Sequence, residues 1–78
     1  MEIDPSAPEP VYEQLAAQLR ERIVSGEYPP RSAIPSITRL CQETGLAVGT
    51  VRKAIAVLVD EGLVSTVPGK GSYVTGRG

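Results

Sequence analysis

The chain has 78 residues, of which 41% are hydrophobic and 22% are charged, and its formal net charge is −1. A chain of this length forms one small domain that buries only ~60% of its unfolded surface, which leaves no room for a catalytic cleft beside the core. It has no histidine and a single cysteine, so it lacks an imidazole for catalysis and a ligand set for a metal. We therefore expect a protein that is not an enzyme and binds no cofactor.

The sequence also lacks the signals of a membrane or secreted protein. No apolar run approaches the ~18 residues that a membrane-spanning helix requires. The acidic, proline-containing start of the chain has neither the basic nor the apolar region of a signal peptide. A lone cysteine cannot form an internal disulfide and suits a reducing compartment. The sequence thus predicts a cytoplasmic protein with no membrane partner.

The charges are unevenly divided along the chain. Residues 1–30 contain six acids and two bases, a charge of −4, whereas residues 31–78 contain six bases and three acids, a charge of +3. This asymmetry suggests a polyanion as the partner of the second part. An ordinary scatter of solvated charges is the alternative interpretation.

The chain begins with an acidic segment and a first helix. Residues 1–9 contain two prolines and three acids and offer little to bury, so we expect a mobile or extended arm. Pro10 suits a first helical turn, because its missing N–H costs nothing there. Apolar residues then recur every four positions until Gly26 and Pro29-Pro30 stop the pattern. The sequence predicts a first helix over residues 10–25.

A short second helix follows an extended connector, in which Ala33-Ile34 could pair as a minor strand. Ser36 is a favoured N-cap for this helix, and Thr44-Gly45 would end it. Its apolar stripe comprises Ile37, Leu40 and Cys41.

The third helix is predicted over about residues 48–61, after a turn that starts at Gly45. Its buried face is predicted to carry Val48, Val51, Ile55 and Leu58, which recur at spacings of three and four. Small and basic residues point away from that face early in the helix, namely Gly49, Thr50, Arg52 and Lys53. Two short helices joined by such a turn match a helix-turn-helix.

After Gly62 the period of the sequence changes. Residues 63–67 and 72–75 are rich in β-branched side chains and flank Pro68-Gly69-Lys70-Gly71, a pattern that predicts a hairpin with a glycine-rich tip. Three helices and a small antiparallel hairpin make a mainly α winged helix-turn-helix, with the hairpin as the wing. We assign residues 10–75 to this domain and residues 76–78 to a tail.

The groups that resemble catalytic ones have simpler explanations. Cys41 lies on the apolar face of the second helix, where a free cysteine packs as a small hydrophobe. Asp60 and Glu61 are adjacent and diverge on a helix, so they cannot act as an acid–base pair. The GKGS string at residues 69–72 lacks the GK followed directly by Ser or Thr of a P-loop, and it leads into a strand.

Three features together predict an interface for duplex DNA. At the start of the third helix, Arg52 could pair with guanine and Thr50 could contact a phosphate or a thymine methyl. The N-terminus of the second helix offers free N–H groups to a phosphate, and Lys70 at the hairpin tip could enter a minor groove. Each feature alone also fits a solvated helix face, a cap or a turn. The candidate DNA-binding residues are Ser36, Thr38, Arg39, Gly49, Thr50, Arg52, Lys53, Gly69, Lys70 and Gly71.

Several short motifs occur in a fixed order along the chain, at residues 12–15, 25–30, 34–36, 45–46, 50–54, 60–63 and 69–74. Together they resemble the N-terminal winged-helix domain of GntR-family bacterial transcription regulators, over about residues 10–75. The resemblance implies a dimeric operator-binding protein, usually a repressor, with the third helix in the major groove and the wing tip at residues 68–72 in the minor groove. It matches Thr50 and Arg52 to DNA-contacting residues, Gly69 to Gly71 to the wing tip, and Ser36 to the start of the second helix.

The chain departs from the family pattern at two helix starts. The family usually has Glu-Arg-Glu after the serine, whereas Thr38 here replaces the arginine and Arg39 replaces the acidic capping residue. A helix N-terminus disfavours a cation, so an arginine there suggests a phosphate neighbour. The family's Ser-Arg-Thr before Thr50 is Ala47-Val48-Gly49 here, which removes an N-cap and another DNA-facing arginine. Base recognition then depends on Thr50, Arg52 and Lys53.

Other functions and assemblies stay open at this point. A winged helix without those arginines could be a protein–protein interaction module with weak or no DNA binding, and residues 1–9 could fold over the basic face as a self-inhibitor. One such module covers only ~600–1,000 Å² on DNA, so we expect a homodimer on two half-sites. Most family members carry a C-terminal ligand-binding and dimerising domain, so the chain is either a domain of a longer regulator or a stand-alone one. No small-molecule effector site is evident in it.

Overall fold

The computed structural model describes residues 2–76 and contains three helices followed by a hairpin. The elements are α1 (Val11–Val24), α2 (Ile37–Thr44), α3 (Val48–Asp60), β1 (Val64–Val67) and β2 (Gly71–Val74). These bounds lie within one or two residues of the predicted ones, and the predicted winged helix-turn-helix is confirmed. None of the helices in residues 2–76 is long and apolar enough to cross a membrane.

Two capping residues shape α2 and the turn that follows it. The Ser36 Oγ accepts a hydrogen bond from the Arg39 backbone N–H at 3.1 Å, which satisfies one of the free donors of the first turn. At the other end Gly45 has a left-handed φ of 74°, which glycine adopts without a Cβ clash. Its N–H donates to the Cys41 carbonyl at 2.8 Å. Ala47, by contrast, gives α3 no side-chain cap.

The hairpin is joined to the helical part through the connector. β1 and β2 pair antiparallel, with Val64 opposite Val74. On the other side of β2, Ala33 bridges Tyr73, and the Ile34 N–H donates to the carbonyl of Ser72 at 3.0 Å. The predicted pairing of Ala33-Ile34 is therefore confirmed, and it holds the wing against the rest of the domain.

The core lies between α1, α2, α3 and the base of the wing. No charged or polar side chain of residues 2–76 is buried, so any binding chemistry has to take place at the surface. The buried residues are all apolar: Leu15, Ala16, Leu19, Ile34, Leu40, Val51, Ala54, Ile55, Leu58, Val64 and Val74.

Of two residues predicted to pack in the core, one is exposed and the other is half-buried. Val48 is predicted on the buried face of α3 but is 47% exposed, because it is the first residue of the helix and lies beyond the core. Cys41 is half-buried and packs against the core. The expectation for Val48 is wrong, whereas Cys41 has the packing role proposed for it.

The arm before α1 hydrogen-bonds to that helix. The Gln14 Nε2 donates to the Asp4 carbonyl at 2.7 Å and to the Glu9 carbonyl at 2.9 Å, and its Oε1 accepts from the Asp4 N–H at 2.8 Å. Gln18 donates to the Glu2 carbonyl, and Ile3 packs against the core. The hydrogen bonds described for residues 2–9 thus stay within the arm or go to α1.

Candidate nucleic-acid interface

The outward face of α3 carries the polar residues predicted for it. Gly49, Arg52 and Lys53 are exposed, and Thr50 is half-buried. The inward face of the same helix is fully apolar and supplies Val51, Ala54, Ile55 and Leu58 to the core. Because one face is fixed by packing, the other is held at a defined orientation to solvent.

A groove between α3 and the wing brings three elements to one side of the molecule. Its volume is about 500 Å³, and it is lined by Ile37 at the start of α2, by Arg52 on α3, and by Thr66 and Ser72 on the wing. The hydroxyl oxygens of Thr66 and Ser72 lie 3.3 Å apart on neighbouring strands. The start of α2, the outward face of α3 and the inner face of the wing therefore form one surface.

Gly49 leaves open space at the start of α3. A Cβ built at this position would meet no atom within 4 Å, so packing inside the chain does not require glycine here. Glycine inside a helix costs roughly 0.5–1 kcal/mol relative to alanine. The position therefore lowers helix stability without serving the core, and it permits a partner to approach the α3 backbone closely.

Arg39 forms an ion pair within α2. Its Nε donates to the Glu43 Oε2 at 2.8 Å, and this hydrogen bond raises the pKa of Arg39 and lowers the pKa of Glu43. The Arg39 side chain is 69% exposed, so its guanidinium still faces solvent. Ser36 and Thr38 beside it are also exposed, although the Ser36 Oγ is already used as the cap.

Lys53 lies on the α1 side of α3, away from Arg52. Its Nζ is 4.2 Å from the centroid of the Tyr12 ring, a cation–π distance worth ~0.5–1 kcal/mol at an exposed site. Arg52 instead lines the groove beside the wing. The two bases are neighbours in sequence, but Lys53 points towards α1 and Arg52 points towards the wing. No periodic pattern in the sequence predicts this contact between Tyr12 and Lys53.

The wing tip is a tight turn that presents Lys70. The Lys70 N–H donates to the Val67 carbonyl at 3.0 Å, and Gly69 has a φ of 76°. Pro68 and this left-handed glycine occupy the two central positions of a type II turn. Gly71 also has a positive φ, of 117°. Both glycines and Lys70 are exposed. Because the glycines have no side chains, Lys70 is the one side chain among these three residues, and it carries a positive charge.

The bases of residues 2–76 divide into paired and unpaired ones. Three ion pairs hold Arg20 to Glu61, Arg22 to Glu27 and Arg39 to Glu43, with N–O distances of 2.6, 3.8 and 2.8 Å. The bases outside these pairs are Arg31, Arg52, Lys53 and Lys70. They lie in the connector, on the outward face of α3 and at the wing tip, so the unpaired positive charge is concentrated on that part of the molecule.

The amino-acid sequence is similar to those of curated bacterial repressors. It is 36% identical to the HTH-type transcriptional repressor NagR of Bacillus subtilis over 75 residues, which cover 96% of this chain and 31% of NagR. It is 33% identical to the HTH-type transcriptional repressor YtrA of the same organism, with 96% of this chain and 58% of YtrA covered. The chain therefore spans less than two thirds of the length of these relatives.

The fold is shared with solved structures of regulators. YtrA from Sulfolobus acidocaldarius, described as a GntR-family transcription factor, superposes with a TM-score of 0.88 at 36% identity, covering 99% of this chain and 81% of that one. AraR(DBD), solved in complex with operator ORR3, superposes with a TM-score of 0.86 at 32% identity, covering 96% of this chain and 90% of that one.

These relatives are transcription regulators, and the prediction that the chain is not an enzyme is confirmed by them. The family described as "Bacterial regulatory proteins, gntR family" matches residues 11–74. The chain therefore belongs to the GntR family of bacterial transcription regulators.

Proposed function

We propose that the chain binds double-stranded operator DNA in the cytoplasm and represses transcription. One observation carries the proposal: the start of α2, the outward face of α3 and the wing form one surface, and unpaired cations lie on it and around it. A structure of the related AraR(DBD) with its operator supports the same function for this chain. Clustered positive charge that is free of internal partners is the electrostatic footprint of a DNA-binding domain.

In this proposal α3 enters the major groove with its first two turns. Arg52 donates to a guanine edge, and Thr50 contacts a phosphate or a thymine methyl. Gly49 allows the α3 backbone to approach the DNA closely. Lys53, drawn towards α1 by Tyr12, meets a phosphate at the border of the groove rather than a base.

The start of α2 and the wing complete the contact. Thr38, Arg39 and the free N–H groups beside Ser36 bind the DNA backbone, where the positive end of a helix favours a phosphate. The wing tip, formed by Gly69, Lys70 and Gly71, enters the adjacent minor groove. These contacts position the domain and carry little sequence information, in contrast to those of Arg52.

We also propose that two copies bind one operator. A single winged helix covers only ~600–1,000 Å² on DNA, which limits the specificity of one copy. A homodimer on two half-sites would double the contact and require a palindromic operator.

Selection of bound sequences from a random duplex pool tests the proposal, because it reports binding, preferred sequence and palindromy together. Fluorescence anisotropy on the selected duplex then compares the wild type with Arg52→Ala and Lys70→Ala. We expect Arg52→Ala to relax the preference at one base position, and Lys70→Ala to weaken binding to all sequences with a salt slope lower by about one. Undiminished affinity in both variants would refute the proposal. Affinity weaker than millimolar for every duplex would favour a protein-binding module instead.

A further inference from the structure

The wing has a second groove, on the face turned away from α3. Alternation along the strands defines the two faces: Val64 and Val74 point to the core, and Thr66 and Ser72 follow on the same inner face. Tyr73 and its partner Ser65 point the other way, to what we call the outer wing groove. This groove has a volume of about 600 Å³.

The outer wing groove holds two cations and no acid. Arg31 lies at one end and Lys70 at the other, with Tyr73 between them and the hydroxyls of Ser65 and Thr75 beside it. Among the grooves described for residues 2–76, every other one that contains a base also contains a carboxylate. Neither Arg31 nor Lys70 takes part in the ion pairs of these residues. The groove is therefore suited to an anion.

Arg31 has a strained backbone conformation. Its φ is 71°, the one positive value of a non-glycine residue in the described chain, and side chains other than glycine are strained there. Its N–H donates to the Val74 carbonyl at 2.9 Å, and its side chain runs beside Gly76. Arg31 is exposed, so burial does not account for an arginine at a position that glycine would occupy without strain. Strain of this kind is concentrated at functional sites.

We propose that the outer wing groove binds the phosphate backbone of the DNA strand beyond the wing. The inference rests on the proposed function and names a further part of the operator complex. A minor groove is only ~6 Å wide and is bordered by two strands, so a wing inserted there has a strand on each side. The inner face meets the strand next to α3, and the outer wing groove meets the other.

The dimensions of the groove fit a short run of that strand. Five residue steps separate Lys70 from Thr75, and these span roughly 16 Å of extended chain. A DNA strand places one phosphate every ~3.4 Å along the helix axis, and farther apart along its winding backbone, so this length spans a few consecutive phosphates. Arg31 and Lys70 then neutralise phosphates at the two ends of the run, outside the bases that α3 contacts.

Two duplexes of different length test the inference. Both contain the selected operator, but the short one ends at the minor groove that receives the wing, and the long one continues for about six base pairs. We expect the wild type to bind the long duplex more tightly and with a steeper salt dependence. Arg31→Gln should lower the salt slope on the long duplex by about one and leave binding to the short duplex unchanged.

Two further variants separate charge from structure. Arg31→Gly should lose the preference for the long duplex while its melting temperature stays at or above that of the wild type, because glycine accepts the φ of 71°. Arg22→Gln removes the same charge from α1, where Arg22 bonds Tyr28 and pairs with Glu27. This control should bind the two duplexes in the same ratio as the wild type.

The outcomes distinguish this inference from the proposed function. If the wild type binds both duplexes equally, or if Arg31→Gln keeps the preference for the long one, the outer wing groove is not a phosphate site although operator binding stands. If the wild type binds neither duplex, the proposed function fails and the inference fails with it.

Discussion

The α1 side and the wing side of this domain use their charges in opposite ways. On α1, Arg20 hydrogen-bonds the Glu61 carboxylate, and Arg22 forms a longer ion pair with Glu27 and a hydrogen bond to the Tyr28 hydroxyl. On the other side, Arg31, Arg52 and Lys70 take part in none of the ion pairs of residues 2–76. A cation whose donors are already used contributes to the fold, whereas one left unpaired keeps its donors for a partner. The contrast separates the bases that hold α1 in place from most of those that would bind DNA. Arg39 is the exception, because it pairs with Glu43 while its side chain stays largely exposed.

The shortest of the ion pairs joins α1 to the residue that follows α3. The Arg20 Nε and Nη2 donate to the Glu61 Oε1 and Oε2 at 2.7 and 2.6 Å. This bidentate hydrogen bond raises the pKa of Arg20 and lowers the pKa of Glu61. Both side chains are 38% exposed, so water screens the pair and reduces its worth. The core, rather than the surface charges, must then supply most of the stability.

The largest effect is expected from Leu58→Ala, which removes a fully buried side chain of α3. Leucine-to-alanine changes in a core cost ~2–5 kcal/mol in the free energy of unfolding, because a cavity remains. A domain of this size has only ~4–12 kcal/mol in total, so both sides of the molecule should lose order together. Chemical denaturation measures the change. A loss below ~1 kcal/mol would show that α3 is not held by this packing.

Arg52→Ala should separate binding from stability. We expect the operator affinity to fall by ~1–3 kcal/mol, because the variant lacks the side chain proposed to contact a base. The free energy of unfolding should change by less than ~0.5 kcal/mol, because Arg52 is exposed and unpaired in the described structure. Anisotropy and denaturation measure the two quantities. Arg20→Ala is the matched control, and an equal loss of affinity in that variant would contradict the division between the two sides.

Gly49→Ala should move stability and binding in opposite directions. Alanine is the better helix former, so the free energy of unfolding should rise by ~0.5–1 kcal/mol, and the open space around Gly49 imposes no clash. The added methyl group should weaken operator binding, since in the proposed complex it would stand between the α3 backbone and the DNA. Thermal melting and anisotropy measure both effects. Unchanged affinity would mean that the DNA does not approach Gly49 closely.

The smallest effect is expected from Arg20→Gln, and it should depend on pH. The pKa of Glu61 is lower in the folded state than its ordinary value of 4.5, so its contribution to stability is complete above that value and is lost as the pH falls through the folded pKa. The variant should therefore be slightly less stable than the wild type at pH 7 and converge with it under acid conditions. Denaturation curves at several pH values test this. A difference that persists at low pH would assign the effect to packing rather than charge.

Local signals in the sequence were sufficient for the fold. Ser36 and Gly45 act through hydrogen bonds to residues three or four positions away, so their residue types alone mark the limits of α2. The wing follows in the same way from Pro68 and Gly69, whose preferred angles define a turn. These signals predict the fold, whereas the family follows from the resemblance of the ordered short motifs.

The finer features of the interface depend on contacts between distant parts of the chain. Lys53 turns towards Tyr12 across two helices, and Gln14 binds the arm through backbone carbonyls, neither of which leaves a periodic pattern. Arg31 is an ordinary surface base in sequence, and only its φ and its neighbours on the wing distinguish it. The sequence identifies the candidate residues, but it does not show which of them point towards α1 and which towards the wing.

The division of α3 into two faces also bears on how such a protein could be retargeted. The thirteen residues of this helix bury Val51, Ala54, Ile55 and Leu58 on one face. Gly49 and Arg52 are exposed and Thr50 is half-buried, and none of the three is part of the buried core. New side chains at Gly49, Thr50 and Arg52 could then be screened as a small library without repacking the core. In evolutionary terms, duplicated copies of this domain could acquire new operators through a few surface substitutions while the scaffold stayed unchanged.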